Sequence, residues 1–184
     1  MKKSKLLWTC ILGILFIVNI ALGWFVASYY LPRFVPSDDH LISADKIVVE
    51  KSVRKMTLYS KDKAVATYNI ALGFTPEGHK QQKGDGRTPE GTYEIAFKNK
   101  NSKYHLSLAI SYPSRQDILN ARKKQLNPGG DIVIHGYPNI LPDWVADKTL
   151  KNKDWTKGCI AVSNSEIEQI WSYVKVGTVI EIKP

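Results

Sequence analysis

Hydrophobic and polar positions change their pattern twice along this chain. From Leu6 to Leu31 the residues run without a charge, longer than the ~20 needed to cross a bilayer core as a helix. A polar, Pro-punctuated stretch over 32–44 follows, and from 45 onward the pattern becomes that of a folded domain. There, "KIVVE", "RKMTLYS" and "AVATYNIAL" are short, partly alternating and rich in branched and aromatic residues, which predicts strands. "GTYEIAF", "HLSLAISY", "DIVIHG" and "GTVIEI" extend the same pattern. Two segments read as helices. "SRQDILNARKKQL" carries Ile118, Leu119, Ala121 and Leu126 near helical spacing and stops at Asn127-Pro128-Gly129-Gly130. "SNSEIEQIWSYV" opens with Ser163 and has Glu166 three residues later, a capping box, with Ile167, Ile170, Trp171 and Val174 on one face. A mainly β domain with one or two helices is expected. Two stretches lack either period: "GFTPEGHKQQKGDGRTPEG" (73–91), expected as a mobile or functional loop, and "LPDWVADKTLKNKDWTKG" (141–158), a second excursion.

The N-terminal pattern divides the chain into a cytoplasmic stub (1–5), a transmembrane signal anchor (6–31), a tether (32–44) and a domain (45–184). A cleavable signal usually has an apolar region of only ~7–15 residues, so retention is the expectation and cleavage the rival. Lys2, Lys3 and Lys5 hold the N-terminus inside, which sends the domain outward, and Trp24, Tyr29 and Tyr30 fall where an aromatic belt would lie. Composition then adds little: 184 residues, 43% apolar, with a net charge of +9 spread rather than clustered. Exported topology argues against a nucleic-acid partner in spite of the charge. Anionic headgroups or an acidic wall polymer suit it better.

Export sharpens one feature. Cys159 is the domain's only cysteine, because Cys10 lies inside the apolar run. An unpaired exported thiol is either a small buried hydrophobe or a nucleophile, and a nucleophile needs a base to take its proton. His105 sits at an alternating strand position, where a structural role is expected. His79 lies in the 73–91 loop, where substrate contact or plain solvation is expected. His135 ends the apolar strand Ile132-Val133-Ile134, is held by the sheet and faces the loops. Cys159 opens the run "CIAV", so two such ends lying side by side would bring thiol and imidazole together. Spacing alone leaves that open. Gly158 permits a close backbone approach, and the Gly158 and Cys159 amides are candidate oxyanion donors. No pair of His or Cys has ligand-like spacing, so neither a metal nor a cofactor is expected.

"IHGYPN" followed by "TKGCIAV" resembles the signature of the YkuD-type L,D-transpeptidase catalytic domain. It falls on His135, Gly136, Thr156, Gly158, Cys159 and Ile160. "GDGRTPEGTYEI" is similar to the family's Gly-x-x-x-Thr-Pro-x-Gly segment at Gly84, Thr88, Pro89 and Gly91. "ISYPSRQDILNARKKQLNPGGDIVIHG" resembles a Gram-negative murein subgroup. The resemblance implies a sandwich-like β fold, placed in the periplasm on an inner-membrane anchor and acting on peptidoglycan stem peptides. It implies Cys159 as nucleophile, attacking the carbonyl between diaminopimelate and the fourth-position D-alanine, and His135 as base. It further implies that the Gly136 carbonyl orients the imidazole and that Gly158 belongs to the oxyanion hole. Thr156 stands at the family's Ser/Thr position, as a turn cap or a direct contributor. The acyl acceptor is an amine (diaminopimelate, a D-amino acid or a wall-anchored protein) or water, which would make the enzyme an amidase or L,D-carboxypeptidase. A non-catalytic wall-binding module is the third reading. The family's arginine after the apolar residue is Ala161 here, which leaves Lys157, Arg87 or Lys80 as candidate substrate-binding charges. The insert between His135 and Cys159 is also longer than usual.

Overall fold

The computed structural model describes residues 19–20 and 43–184. The expected stub, anchor and tether lie almost wholly outside these residues. Among the described residues no helix is long and apolar enough to cross a membrane. The chain divides into two units, residues 1–40 and 41–184, and every described strand belongs to the second.

Eight strands form it: β1 (Ala44–Glu50), β2 (Lys55–Ser60), β3 (Lys63–Asn69), β4 (Gly91–Ser102), β5 (His105–Ile110), β6 (Val133–His135), β7 (Ile160–Ala161) and β8 (Val174–Lys183). They follow the order β3-β2-β1-β8-β4-β5-β6-β7. The expected sandwich is thus one curled sheet. Just past β3, Ala71 exchanges two 2.8 Å backbone hydrogen bonds with Ala161 of β7, bringing the sheet's two ends together. That contact removes an exposed edge at the strand that carries the cysteine loop. Ile47, Val49, Met56, Leu58, Ile95, Leu108, Ile134, Ile160 and Ile180 are buried inside the curl.

Three helices accompany the sheet, against the one or two expected: α1 (Arg115–Lys123), α2 (Asp143–Leu150) and α3 (Asn164–Tyr173). Ser163 and Glu166 make the anticipated capping box, and Ser114 with Asp117 makes a second at α1. Ile167 and Ile170 of α3 are fully buried. Helix α2 lies in the 141–158 excursion. It buries only Ala146, and its N-cap Pro142 offers no side-chain acceptor, so neither signal for a helix stands in the sequence.

The 73–91 segment is tied down rather than free. Lys51, 2% exposed, donates to the carbonyls of Gly78 and Thr88 and to Glu90 Oε1. Lys80, 3% exposed, pairs with Asp85 at 2.7 Å. The Asp85 carboxylate also receives the Gln81, Gln82 and Arg87 amides. Thr88, fully buried, accepts the Gly73 amide at 3.1 Å. Buried charges persist only when paired and hydrogen-bonded, and each lysine here satisfies that condition through loop carbonyls and a carboxylate. The Gly-x-x-x-Thr-Pro-x-Gly segment is therefore a brace. The Gly86 carbonyl lies where a Cβ on Gly73 would come within 2.0 Å.

Candidate active site

Strand β6 lies between β5 and β7 in the sheet, with Ser107 opposite His135 on one side and Ala161 on the other. Paired residues point to the same face of a sheet, and side chains alternate along each strand. His135 and Ala161 therefore share a face of the sheet. Cys159 itself lies outside β7, directly before Ile160, so it precedes the strand that pairs with the His135 strand. Strands β6 and β7 do lie side by side, as the sequence led one to expect of the runs that His135 ends and Cys159 opens.

The imidazole is held from three sides. His135 Nδ1 donates to the Gly136 carbonyl at 2.6 Å. A carbonyl can only accept, so this bond puts the proton on Nδ1 and leaves the Nε2 lone pair free. Tyr104 packs on the ring at 4.5 Å between centroids, and Trp155 meets it edge-on at 5.5 Å. His135 is 2% exposed, and burial lowers its pKa to about 4 against the push of the Gly136 carbonyl. It is therefore neutral at ordinary pH. Gly136 itself has no room to change, because a Cβ there would stand 2.5 Å from Asn164 Oδ1 at the start of α3.

Cys159 is half-buried and unpaired, and its Sγ contacts the Asp131 carbonyl at 3.6 Å. Burial pushes its pKa up, the Asp131 charge adds to this, and the Val133 amide and Lys80 pull it down. At rest the thiol and the imidazole are thus both neutral. Thr156 sets the loop that presents the thiol. Its buried hydroxyl accepts the Gly158 amide at 3.1 Å and donates to the Cys159 carbonyl at 2.8 Å. The Gly158 N–H is therefore taken up by Thr156 and does not face a substrate oxygen, contrary to the oxyanion role expected of it. Gly158 has φ +124, and a Cβ would come within 2.6 Å of the Arg87 carbonyl, so conformation and space both require glycine.

A cavity of about 570 Å³ opens at the thiol, lined by Cys159, Asp131, Ile132, Lys80, Lys83 and Lys157 among others. Of the charges considered for substrate binding, Lys157 and Lys80 line this cavity. Arg87 and His79 do not line it. The Arg87 guanidinium lies by Gly78 while its carbonyl abuts Gly158. His79 bridges two elements instead: Nδ1 accepts the Glu90 amide at 2.9 Å, and Nε2 lies 3.1 Å from Asp117 Oδ1. A histidine with both nitrogens engaged braces the loop. His105 pairs with Glu168 at 2.7 Å, the structural role expected of it. Sequence reasoning missed Tyr104, Trp155 and Asp131. Only Asp131 left a local trace, following two glycines directly before the His135 strand. Among the described residues no group of His, Cys, Asp and Glu is arranged to hold a metal.

A family model for the L,D-transpeptidase catalytic domain, YkuD, matches residues 44–182. Among solved structures, the helical cell shape determining protein Pgp2 from Campylobacter jejuni is similar, with a TM-score of 0.59 at 24% identity. That match covers 77% of this chain and 48% of Pgp2. Bd1075 from Bdellovibrio bacteriovorus matches with a TM-score of 0.53 at 22% identity, over 77% of this chain and 48% of its own. The Ldtfm–avibactam carbamoyl enzyme gives 0.52 at 18%, covering 78% and 50%. This chain thus spans about half the length of each, and at these identities the likeness is one of fold. No match is found among curated proteins. With the family model spanning nearly all of the folded unit, the chain belongs to the YkuD family of L,D-transpeptidase catalytic domains.

Proposed function

We propose that this protein is an L,D-transpeptidase acting on peptidoglycan stem peptides through a Cys159 thioester, with His135 as general base. The observation that carries this reading is the bond from His135 Nδ1 to the Gly136 carbonyl, which leaves Nε2 free to accept a proton, on a strand paired with the one that Cys159 directly precedes. Nε2 takes the Sγ proton as sulfur attacks the carbonyl between diaminopimelate and D-alanine. Collapse of the tetrahedral adduct breaks the C–N bond, and the imidazolium returns its proton to the departing D-alanine amine. An acceptor amine then attacks the thioester, His135 takes its proton, and the thiol is regenerated. The Cys159 amide remains as an oxyanion donor, with Gly158 serving the turn. Activation by proton transfer within the encounter suits a site whose thiol and imidazole are both neutral at rest.

The apolar run at 6–31 supports an inner-membrane anchor with the domain in the periplasm, where peptidoglycan is found. A role in wall remodelling follows, and the likeness to a cell shape determining protein extends it to cell shape. The purified protein is incubated with disaccharide tetrapeptide and a free D-amino acid. Cross-linked dimer or D-amino acid exchange, lost in Cys159→Ala, supports transpeptidation. Tripeptide alone makes the enzyme a carboxypeptidase. No change in the muropeptide returns the domain to a wall-binding role. A C-terminal reporter active only outside the cytoplasm checks the topology.

A further inference from the structure

The cavity at the thiol is basic except for one residue. Lys80, Lys83 and Lys157 contribute positive charge, and Asp131 contributes the only carboxylate among its lining residues. Lys80 is already neutralised by Asp85. Lys83, Lys157 and the Asp131 carboxylate are different: among the described residues none of these three side chains has an ion pair or hydrogen bond, and all are exposed. Asp131 is also held in a conformation that most side chains avoid. Its φ is +57, the left-handed region, which Asp and Asn tolerate better than other non-glycine residues. Its carbonyl is the group in contact with Sγ, at 3.6 Å. The free carboxylate therefore belongs to the residue whose own carbonyl touches the sulfur that attacks the substrate.

A residue in this place has a cost. A negative charge beside the cysteine disfavours the thiolate, and Asp131 raises the thiol pKa. A turn needing only the left-handed conformation would be met by asparagine or glycine without that cost. The charge thus calls for a ligand. A cavity that offers one free carboxylate and two free ammonium groups complements a zwitterion. The donor assigned above contains one, because diaminopimelate ends in a second amino-acid centre carrying both an ammonium and a carboxylate.

We propose that Asp131 determines donor specificity, receiving the ammonium at the free end of the donor's diamino acid while Lys157 and Lys83 receive that end's carboxylate. The proposal rests on the stem-peptide reading of the preceding section and adds the recognition of one substrate group. Binding the donor's amine as an ammonium also keeps it protonated, so that it does not compete as a nucleophile for its own thioester.

The test uses three tetrapeptide donors that differ only at the third position: diaminopimelate, lysine (ammonium without carboxylate) and norleucine (neither). Affinity is measured by calorimetry on the full-length Cys159→Ala protein, with and without Asp131→Asn, and release of D-alanine is measured with Cys159 intact. Asparagine keeps the left-handed backbone, and an unchanged melting temperature verifies the fold. The expected result is a drop of about tenfold in affinity and in kcat/KM for the diaminopimelate and lysine donors, the loss of one charged hydrogen bond, with norleucine unaffected. Lys157→Met is expected to weaken diaminopimelate alone. An equal effect of Asp131→Asn on all three donors, or none on any, overturns the proposal. Wild-type protein that binds with this preference yet releases no D-alanine instead overturns the catalytic reading and leaves the recognition site standing.

Discussion

Acid should destabilise this domain, with His135 as a principal contributor. His135 is 2% exposed, and its pKa falls from the ordinary 6.5 to about 4 because the charged imidazolium is disfavoured between Tyr104 and Trp155. The unfolded chain keeps the ordinary value, so between these limits it binds a proton that the folded chain refuses. Stability then falls with acidification at about 1.4 kcal/mol per pH unit, beginning below pH 6.5 and levelling near pH 4. The gap of about 2.5 pH units corresponds to about 3 kcal/mol, a large part of the stability of a small domain. Asp85 and Glu181, both held below their ordinary values, also lose stabilisation in acid, so the comparison must be differential. Urea unfolding is measured at pH 7, 5.5 and 4 for wild type and His135→Gln. The glutamine variant costs some stability at every pH but lacks the titrating group. Its deficit relative to wild type should shrink by about 3 kcal/mol from pH 7 to pH 4. Parallel loss in both proteins would refute the reasoning and place the imidazole in a wetter setting. Activity provides a second reading of the same group: the acid limb of kcat/KM should lie near pH 4 to 5 rather than 6.5.

Other consequences come from the loop that presents the thiol. Gly158→Ala places a Cβ against the Arg87 carbonyl at a φ closed to alanine, and should reduce D-alanine release by 100-fold or more, on the order expected when a reacting group is displaced by an ångström. Thr156→Val removes both bonds of the turn hydroxyl and leaves the Gly158 amide without its acceptor, costing about 2 kcal/mol in thermal unfolding with a matching fall in turnover. Lys80→Met leaves Asp85 unpaired and should cost about 3 kcal/mol. It also takes away a charge that favours the thiolate, so Cys159 alkylation by iodoacetamide should shift to higher pH. An unchanged alkylation profile would show that Lys80 acts only on the loop.

Much of this protein can be read from residue order, because the signals involved are local. Strands announce themselves by alternation, Ser163 and Glu166 lie close enough in sequence to form their box unaided, and Cys159 stands out because the domain has no second thiol. Residue order alone leaves the pairing of His135 with Cys159 open, as two strand ends that need not meet. The parallel register of β6 and β7 puts the two strands side by side, with Cys159 directly before β7. What escapes sequence reading depends on partners far along the chain. Lysines are exposed by default, so nothing local indicates that Lys51 is buried beneath Gly78, Thr88 and Glu90, or that Lys80 is matched to a nest around Asp85. Those contacts turn the 73–91 loop, expected to be mobile or functional, into a brace and divert His79 to it. Helix α2 escapes for a different reason: with one buried residue and no side-chain cap, it is held by its surroundings rather than by its own pattern. The chemistry of the site is therefore written locally in Cys159 and the His-Gly pair. Its electrostatics, a neutral buried imidazole and a basic cavity with one free carboxylate, come only from the fold, because burial and charge proximity belong to the packed chain and not to residue order.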